Sequence, residues 1–257
     1  MIGAASLSSL PLRGSDWAMV AIAPIVGSFL GVLITRVPDR APVIWARSRC
    51  DACEMALAAR DLVPLASWLL ARGRCRHCGH SLSWFYPAVE LAALAVAGTS
   101  LVIDRGVDAW LDALLGWWLL TLGWIDLRTW RLPDVLTFPL IALGLVAGWF
   151  FAADELIGRI AGAIAGYLCL WLVAYGYRRL RGREGLGLGD AKLLAAAGAW
   201  VGASGLPSVV AGGAIAALVA AGGLMLVGVR LERTSALPFG PFLALATWLV
   251  WLLGPIA

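Results

Sequence analysis

The sequence predicts an all-α integral membrane protein of about eight transmembrane helices, with a small cytoplasmic, zinc-ribbon-like loop of four cysteines between helices 1 and 2. Three observations predict it. Of 257 residues, 61% are hydrophobic and only 14% charged, and mean hydropathy is +0.86; soluble domains carry about 25% charge. Apolar runs of roughly twenty residues, the length that crosses a ~30 Å hydrocarbon core, recur along the chain. They lack the strict alternation of a barrel strand, so helices are the remaining way to satisfy their backbone in lipid. Finally, four of the five cysteines fall in one polar segment between the first two runs.

In chain order the expected spans are 17–34, 84–103, 109–125, 135–151, 156–177, 191–204, 207–229 and 237–256, the sixth unusually short. Residues 1–36 then form a periplasmic N-terminus and first span, 37–83 a cytoplasmic tetracysteine loop, and 84–257 a polytopic membrane domain. Residues 1–16 lack a basic stretch followed by an apolar core, so targeting is expected to rest on the first span. Glycine-rich stretches such as 211–217 and 221–223 lie inside spans, where small residues let helices approach closely.

Arginine bias sets the orientation. With the N-terminus outside, the cytoplasmic segments collect Arg36, Arg40, Arg47, Arg49, Arg60, Arg72, Arg74, Arg76, Arg128, Arg131, Arg178, Arg179, Arg181, Arg183, Arg230 and Arg233. The other side keeps Arg13, Arg105 and Arg159 among several acids. Both termini are therefore expected in the periplasm. The net charge of +4 is spread over short loops rather than gathered on one face, which argues against nucleic acid as a partner.

The polar loop carries Cys50-x-x-Cys53 and Cys75-x-x-Cys78. Paired CxxC knuckles at this separation suit one tetrahedral zinc, each turn aiming two thiolates at a common centre. Disulfides are disfavoured in a reducing cytoplasm, and a redox CxxC pair explains only half of the cysteines. His77 or His80 is a weaker alternative ligand. Cys169, alone in an apolar run, reads as a small core residue.

Ionisable residues at membrane-helix ends are candidates for chemistry because burying charge there is costly. Asp126 ends an apolar run, and Asp190 closes Glu184-Gly-Leu-Gly-Leu-Gly-Asp and opens the next. Both are expected at the cytoplasmic edge on different helices. Two carboxylates sharing a proton suit water-mediated peptide hydrolysis, one as base, the other polarising the scissile carbonyl. Gly185, Gly187 and Gly189 would let a substrate strand approach unobstructed. An acid opening a helix can simply be a cap, the reading favoured for Asp134 and left open for Asp190. Asp126, at a helix C-terminus where the dipole disfavours anions, is harder to explain that way. Glu90 is a further carboxylate inside a span, expected to pair with an arginine or to serve a second site.

These residues carry a resemblance. Gly27-Ser-Phe-Leu, Arg36-Val-Pro38, Arg47-Ser-Arg-Cys50, 64–70, Arg72-Gly-Arg-Cys75, Tyr86-Pro-Ala-Val-Glu90-Leu, the segment from Asp126 to Pro133-Asp134, and 184–194 resemble the type IV prepilin peptidases, also called type II secretion leader peptidases. These are intramembrane aspartic proteases of the GxGD class, and the resemblance spans almost the whole chain. It implies removal of a basic leader from prepilins or pseudopilins, after a glycine at the cytoplasmic face of the inner membrane. It further implies N-methylation of the new terminus with S-adenosylmethionine. Asp126 and Asp190 take the catalytic positions, supported by Gly187, Gly189 and Lys192, and Cys50, Cys53, Cys75 and Cys78 take those of the metal loop. Gly31 departs from the asparagine usual in that family's first motif, and no Rossmann-type methyltransferase motif is present. Two other classes compete: a transporter or channel, which would place its charges at the midplane, and a zinc-ribbon assembly scaffold, which would leave both aspartates idle.

Overall fold

A computed structural model describes residues 14–45, 47–50, 52–182, 187–229 and 237–256. Arg13, Asp51, Arg183, Glu184, Gly185, Arg230 and Arg233 lie outside the described residues. Among those described, the regular elements are helices, joined by two isolated β-bridges in the cysteine loop. The helices are α1 (Gly14–Arg36), α2 (Ala66–Leu70), α3 (Phe85–Ile103), α4 (Val107–Thr129), α5 (Asp134–Phe151), α6 (Leu156–Arg181), α7 (Leu188–Leu226) and α8 (Gly240–Leu253).

The helices α1, α3, α5, α6 with its preceding turn, and α7 are each long and apolar enough to cross a membrane. Helix α4, with Asp108, Asp112, Asp126 and Arg128 among its 23 residues, is more polar, and α8 is apolar but only 14 residues long. The expected sixth and seventh spans run together as α7. No loop separates them near Pro207; the break is at Gly202, whose φ of 73° and ψ of 176° leave the helical region. Proline lacks an N–H but fits a helix start, whereas only glycine takes that backbone conformation without strain, so the kink falls at the glycine.

The chain divides into two compact units, Met1–Trp117 and Trp118–Ala257. In the first, α1 packs along α3. Met19, Ala23, Gly27, Leu30 and Ile34 form the buried stripe of α1, at the three- and four-residue steps of a helical face. Contact is tightest at Gly27, where an added Cβ would come within 2.6 Å of the Glu90 Cα.

In the second unit α7 is the central helix, packed by α5, α6 and α8. The α6–α7 contact is backbone against backbone: a Cβ on Gly162 would lie 2.6 Å from the Gly198 carbonyl oxygen. With no solvent-driven attraction between helices in lipid, such close approach supplies the cohesion. Trp200 fills the core, its indole N–H donating to the Leu140 carbonyl at 2.9 Å. Cys169 is exposed on α6 rather than buried in the core, because the inward face of α6 is taken by small residues such as Gly162 and Gly166.

Candidate active site and metal centre

In the N-terminal unit the cysteines form two matching knuckles. Cys50 N–H donates to the Met55 carbonyl and Glu54 N–H to the Cys50 carbonyl, at 3.0 and 2.9 Å. Shifted to the second pair, Cys75 N–H donates to His80 and Gly79 N–H to Cys75, at 2.8 and 2.9 Å. Each knuckle is closed by a bridge, Arg49 to Ala56 and Arg74 to Ser81, and each turns through a positive φ, at Glu54 (56°) and Gly79 (72°). The twice-occurring Arg-x-Arg-Cys-x-x-Cys at residues 47–53 and 72–78 is the sequence signal for this repeat.

The two knuckles bring all four thiols together, their Sγ atoms lying within 4.8 Å of one another. The Cys50–Cys78 separation of 3.8 Å matches the edge of a tetrahedron with ~2.3 Å zinc–sulfur bonds, about 3.8 Å. It is far too long for a disulfide, and all are free thiols. The thiols titrate unequally: backbone hydrogen bonds from Cys78 and His77 bring Cys75 down to about 6. Cys53 is pushed up to about 12, burial and the neighbouring thiols outweighing the Met55 backbone hydrogen bond. The cluster can therefore hold a metal ion.

Around it the loop is tied by side chains. Asp61 pairs with Arg76 at 3.0 Å and accepts the Ala58 N–H at 3.2 Å. Trp68 of α2 packs against Trp84 with ring centroids 4.1 Å apart and planes tilted by 52°, while Leu69 and Leu70 are exposed. Glu90, 5% exposed, pairs with no arginine among the described residues. Its carboxylate accepts the Leu65 N–H at 2.7 Å and a hydrogen bond from Ser28, so it joins α1, α3 and the loop. At Gly31 the side-chain space is taken by Tyr86, whose Cδ1 would lie 2.8 Å from an added Cβ. That contact gives a physical reason for glycine there.

The aspartates lie in the C-terminal unit. Asp126 is in the last turn of α4, buried at 6% exposure. The N–H of Gly240, the first residue of α8, donates to its Oδ2 at 3.1 Å. The unfavourable end of one helix dipole is thus offset by the favourable end of another. Sequence reasoning misses Gly240. Its signal is Phe239-Gly-Pro-Phe242 opening an apolar span, but the contact bridges more than a hundred residues. Glycine is needed because an added Cβ would stand 2.6 Å from the Asp126 carboxylate.

Asp190 is the third residue of α7 and accepts a hydrogen bond from the backbone of Gly187, the N-cap. That is half of a capping box. It is also close enough to Asp126 for the two carboxylates to feel each other's charge. The pair expected from sequence is thus brought together, and Gly187 and Gly189 lie on the same turn as Asp190.

Asp134 departs from its reading as a backbone cap. Pro133 is the N-cap of α5 and makes no side-chain cap hydrogen bond. The Asp134 carboxylate instead accepts from Lys192 Nζ at 2.5 Å. An ammonium on a long side chain from α7 offers a stronger partner than an N–H whose dipole effect is screened at an exposed position.

Known proteins resemble the chain over most of its length. Residues 21–103 match the model for the bacterial peptidase A24 N-terminal domain, and 113–222 match that for the type IV leader peptidase family. The chain is 39% identical to a prepilin leader peptidase/N-methyltransferase of Pectobacterium carotovorum subsp. carotovorum, covering 89% of each. It is 38% identical to proteins of the same name from Burkholderia pseudomallei (strain 1026b), over 93% of this chain and 86% of the relative, and from Aeromonas hydrophila, over 90% and 88%. No solved structure matches the chain.

Proposed function

The chain belongs to the type IV leader peptidase family, and on that premise we propose that it cleaves prepilins with Asp126 and Asp190 as its catalytic residues and N-methylates the product. It is a multi-pass inner-membrane protein whose apolar helices contact the lipid bilayer. The observation that carries the peptidase reading is the meeting of two carboxylates, from the end of α4 and the start of α7. Two like charges in close quarters favour sharing a single proton.

In the ionised state one carboxylate takes a proton from water as it attacks the scissile carbonyl. The protonated partner hydrogen-bonds the carbonyl oxygen and later returns a proton to the departing amine. The Gly240 N–H, bound to Oδ2 of Asp126, holds that carboxylate in orientation and leaves Oδ1 for water. Gly187 presents backbone rather than a side chain to a substrate strand, while Gly189, packed on Leu132, and Lys192 support the same end of α7.

The cytoplasmic face carries both the aspartates and the cysteine loop, and both termini are periplasmic, in accord with the arginine distribution. A prepilin or pseudopilin then keeps its apolar helix in lipid while its basic leader reaches the aspartates. Cys50, Cys53, Cys75 and Cys78 would hold a structural zinc, which would neutralise the thiolates and cross-link the loop. S-adenosylmethionine supplies the methyl group for the new N-terminal amine.

The test uses detergent-purified full chain and a prepilin substrate. Wild-type protein is expected to release the leader, and Asp126→Asn and Asp190→Asn to release none. A soluble leader peptide without the apolar helix is expected to be cut far less efficiently; equal efficiency would remove the proposed mode of docking.

A further inference from the structure

We propose that Asp134 and Lys192 are positioning residues that lock Asp190 against the strand leaving Asp126, an inference that rests on the catalytic reading of those two aspartates. Helix α4 ends one residue short of Trp130, whose N–H donates to the Asp126 carbonyl at 2.9 Å and whose φ is +56°. A left-handed tryptophan at a helix end is strained. It turns residues 130–133 sharply away from the α4 axis, towards the start of α5.

That short segment and the start of α5 meet the N-terminal end of α7 at two points. On one side of Asp190, an added Cβ on Gly189 would lie 3.0 Å from the Leu132 Cβ, so backbone and side chain are in full contact. On the other side, Lys192 Nζ reaches Asp134 Oδ1 at 2.5 Å and stands 5.5 Å from the Phe138 ring centroid. Asp190 thus sits between a steric contact to Leu132 and an ion pair to Asp134, the first residue of α5.

Neither contact is explained by cohesion of the helices alone. Lys192 is the only lysine in the chain, and it is partly withdrawn from solvent at 24% side-chain exposure. The pair is also a charge-assisted hydrogen bond, which is directional and restricts how the N-terminal end of α7 can rotate. In a two-carboxylate reaction that rotation sets the distance over which the shared proton moves. Small displacements of this kind act on the chemical step rather than on binding.

The experiment measures kcat and KM for Asp134→Asn, Lys192→Met, the double variant and the exchanged pair Asp134→Lys with Lys192→Asp, all in the full-length, detergent-purified protein. Each single variant is expected to lose ~10-fold in kcat with KM within about twofold. The double is expected to be no worse than the poorer single, and the exchanged pair to recover several-fold over it. A misfolded protein would not be rescued by exchange, so recovery separates positioning from general damage. Singles with wild-type kcat, additive losses in the double, or no recovery on exchange would each overturn the pairing. Asp190→Asn serves as the reference: activity there removes the catalytic reading itself, whereas an inactive Asp190→Asn beside unaffected Lys192 variants removes only the brace.

Discussion

Glu90 in the N-terminal unit and Asp126 in the C-terminal unit are both carboxylates buried to about the same degree, 5% and 6% exposed, and each accepts a backbone N–H. Their surroundings differ. Glu90 is also bonded by Ser28, and its partners come from α1 and from the turn before α2. Asp126 has one N–H and a second carboxylate, Asp190, within electrostatic range. The first arrangement gives the acid two hydrogen bonds that fix three segments together. The second leaves an oxygen open and couples it to another titrating group. Burial of an acid in a membrane helix is therefore a poor guide to chemistry by itself; what distinguishes a site from a lock is whether another acid is present.

The sharpest way to break that distinction is to neutralise each acid. Asp126→Asn or Asp190→Asn is expected to lower kcat by at least ~10³-fold with expression and membrane insertion intact, since removing one member of a coupled pair disables the whole. Cleavage by either variant near the wild-type rate would make the two units alike. Next in size, Gly240→Ala forces the Asp126 carboxylate to shift, and a loss of ~10- to 100-fold in kcat is expected. Steady-state assay of that variant separates an orienting role for α8 from mere packing.

Glu90→Leu should act in the opposite manner. It leaves the Leu65 N–H without its acceptor, and a destabilisation of about 2–3 kcal/mol is expected, read from unfolding in detergent. The folded fraction should retain wild-type kcat for cleavage, and a selective loss of kcat would place Glu90 among the working acids. For the metal, about one zinc per chain is expected by elemental analysis, lost in the Cys50→Ser/Cys53→Ser variant. Zinc retention should weaken as pH falls, because protons compete for the thiolates and the Cys53 thiol, near 12, holds its proton most firmly. The smallest effect is expected for Asp61→Asn. Its ion pair with the part-exposed Arg76 is worth ~0.5–1 kcal/mol, and cleavage should barely change.

Much of this is legible from sequence because the signals are local. Apolar run length locates the spans, the CxxC spacing locates the thiols, and the position of Asp126 at an unfavourable helix end singles it out. What escapes is contact between distant segments. The Gly240 partner of Asp126 and the Lys192 partner of Asp134 are set by how α4, α5, α7 and α8 converge, which no residue pattern encodes by itself. Sequence divides this stretch into spans 191–204 and 207–229, yet α7 runs on through Pro207 and leaves helical geometry at Gly202. The position of Asp134 after Pro133 suggests a cap, and the longer reach of Lys192 prevails.

The twin knuckles of the cysteine loop also have a timetable. Each is closed by its own backbone hydrogen bonds, so each can form as soon as its residues leave the ribosome. At ~5–20 residues per second, the second pair follows the first by roughly 1–5 s. During that interval Cys50 and Cys53 would offer a zinc ion only half a coordination sphere, too few thiolates to retain it tightly. Capture of a zinc ion would await Cys75 and Cys78, and joining the halves would cost about 3 kcal/mol of loop-closure entropy, which metal bonds would offset. Zinc supply during synthesis, rather than afterwards, would then decide how many chains insert their later spans with this loop already shut.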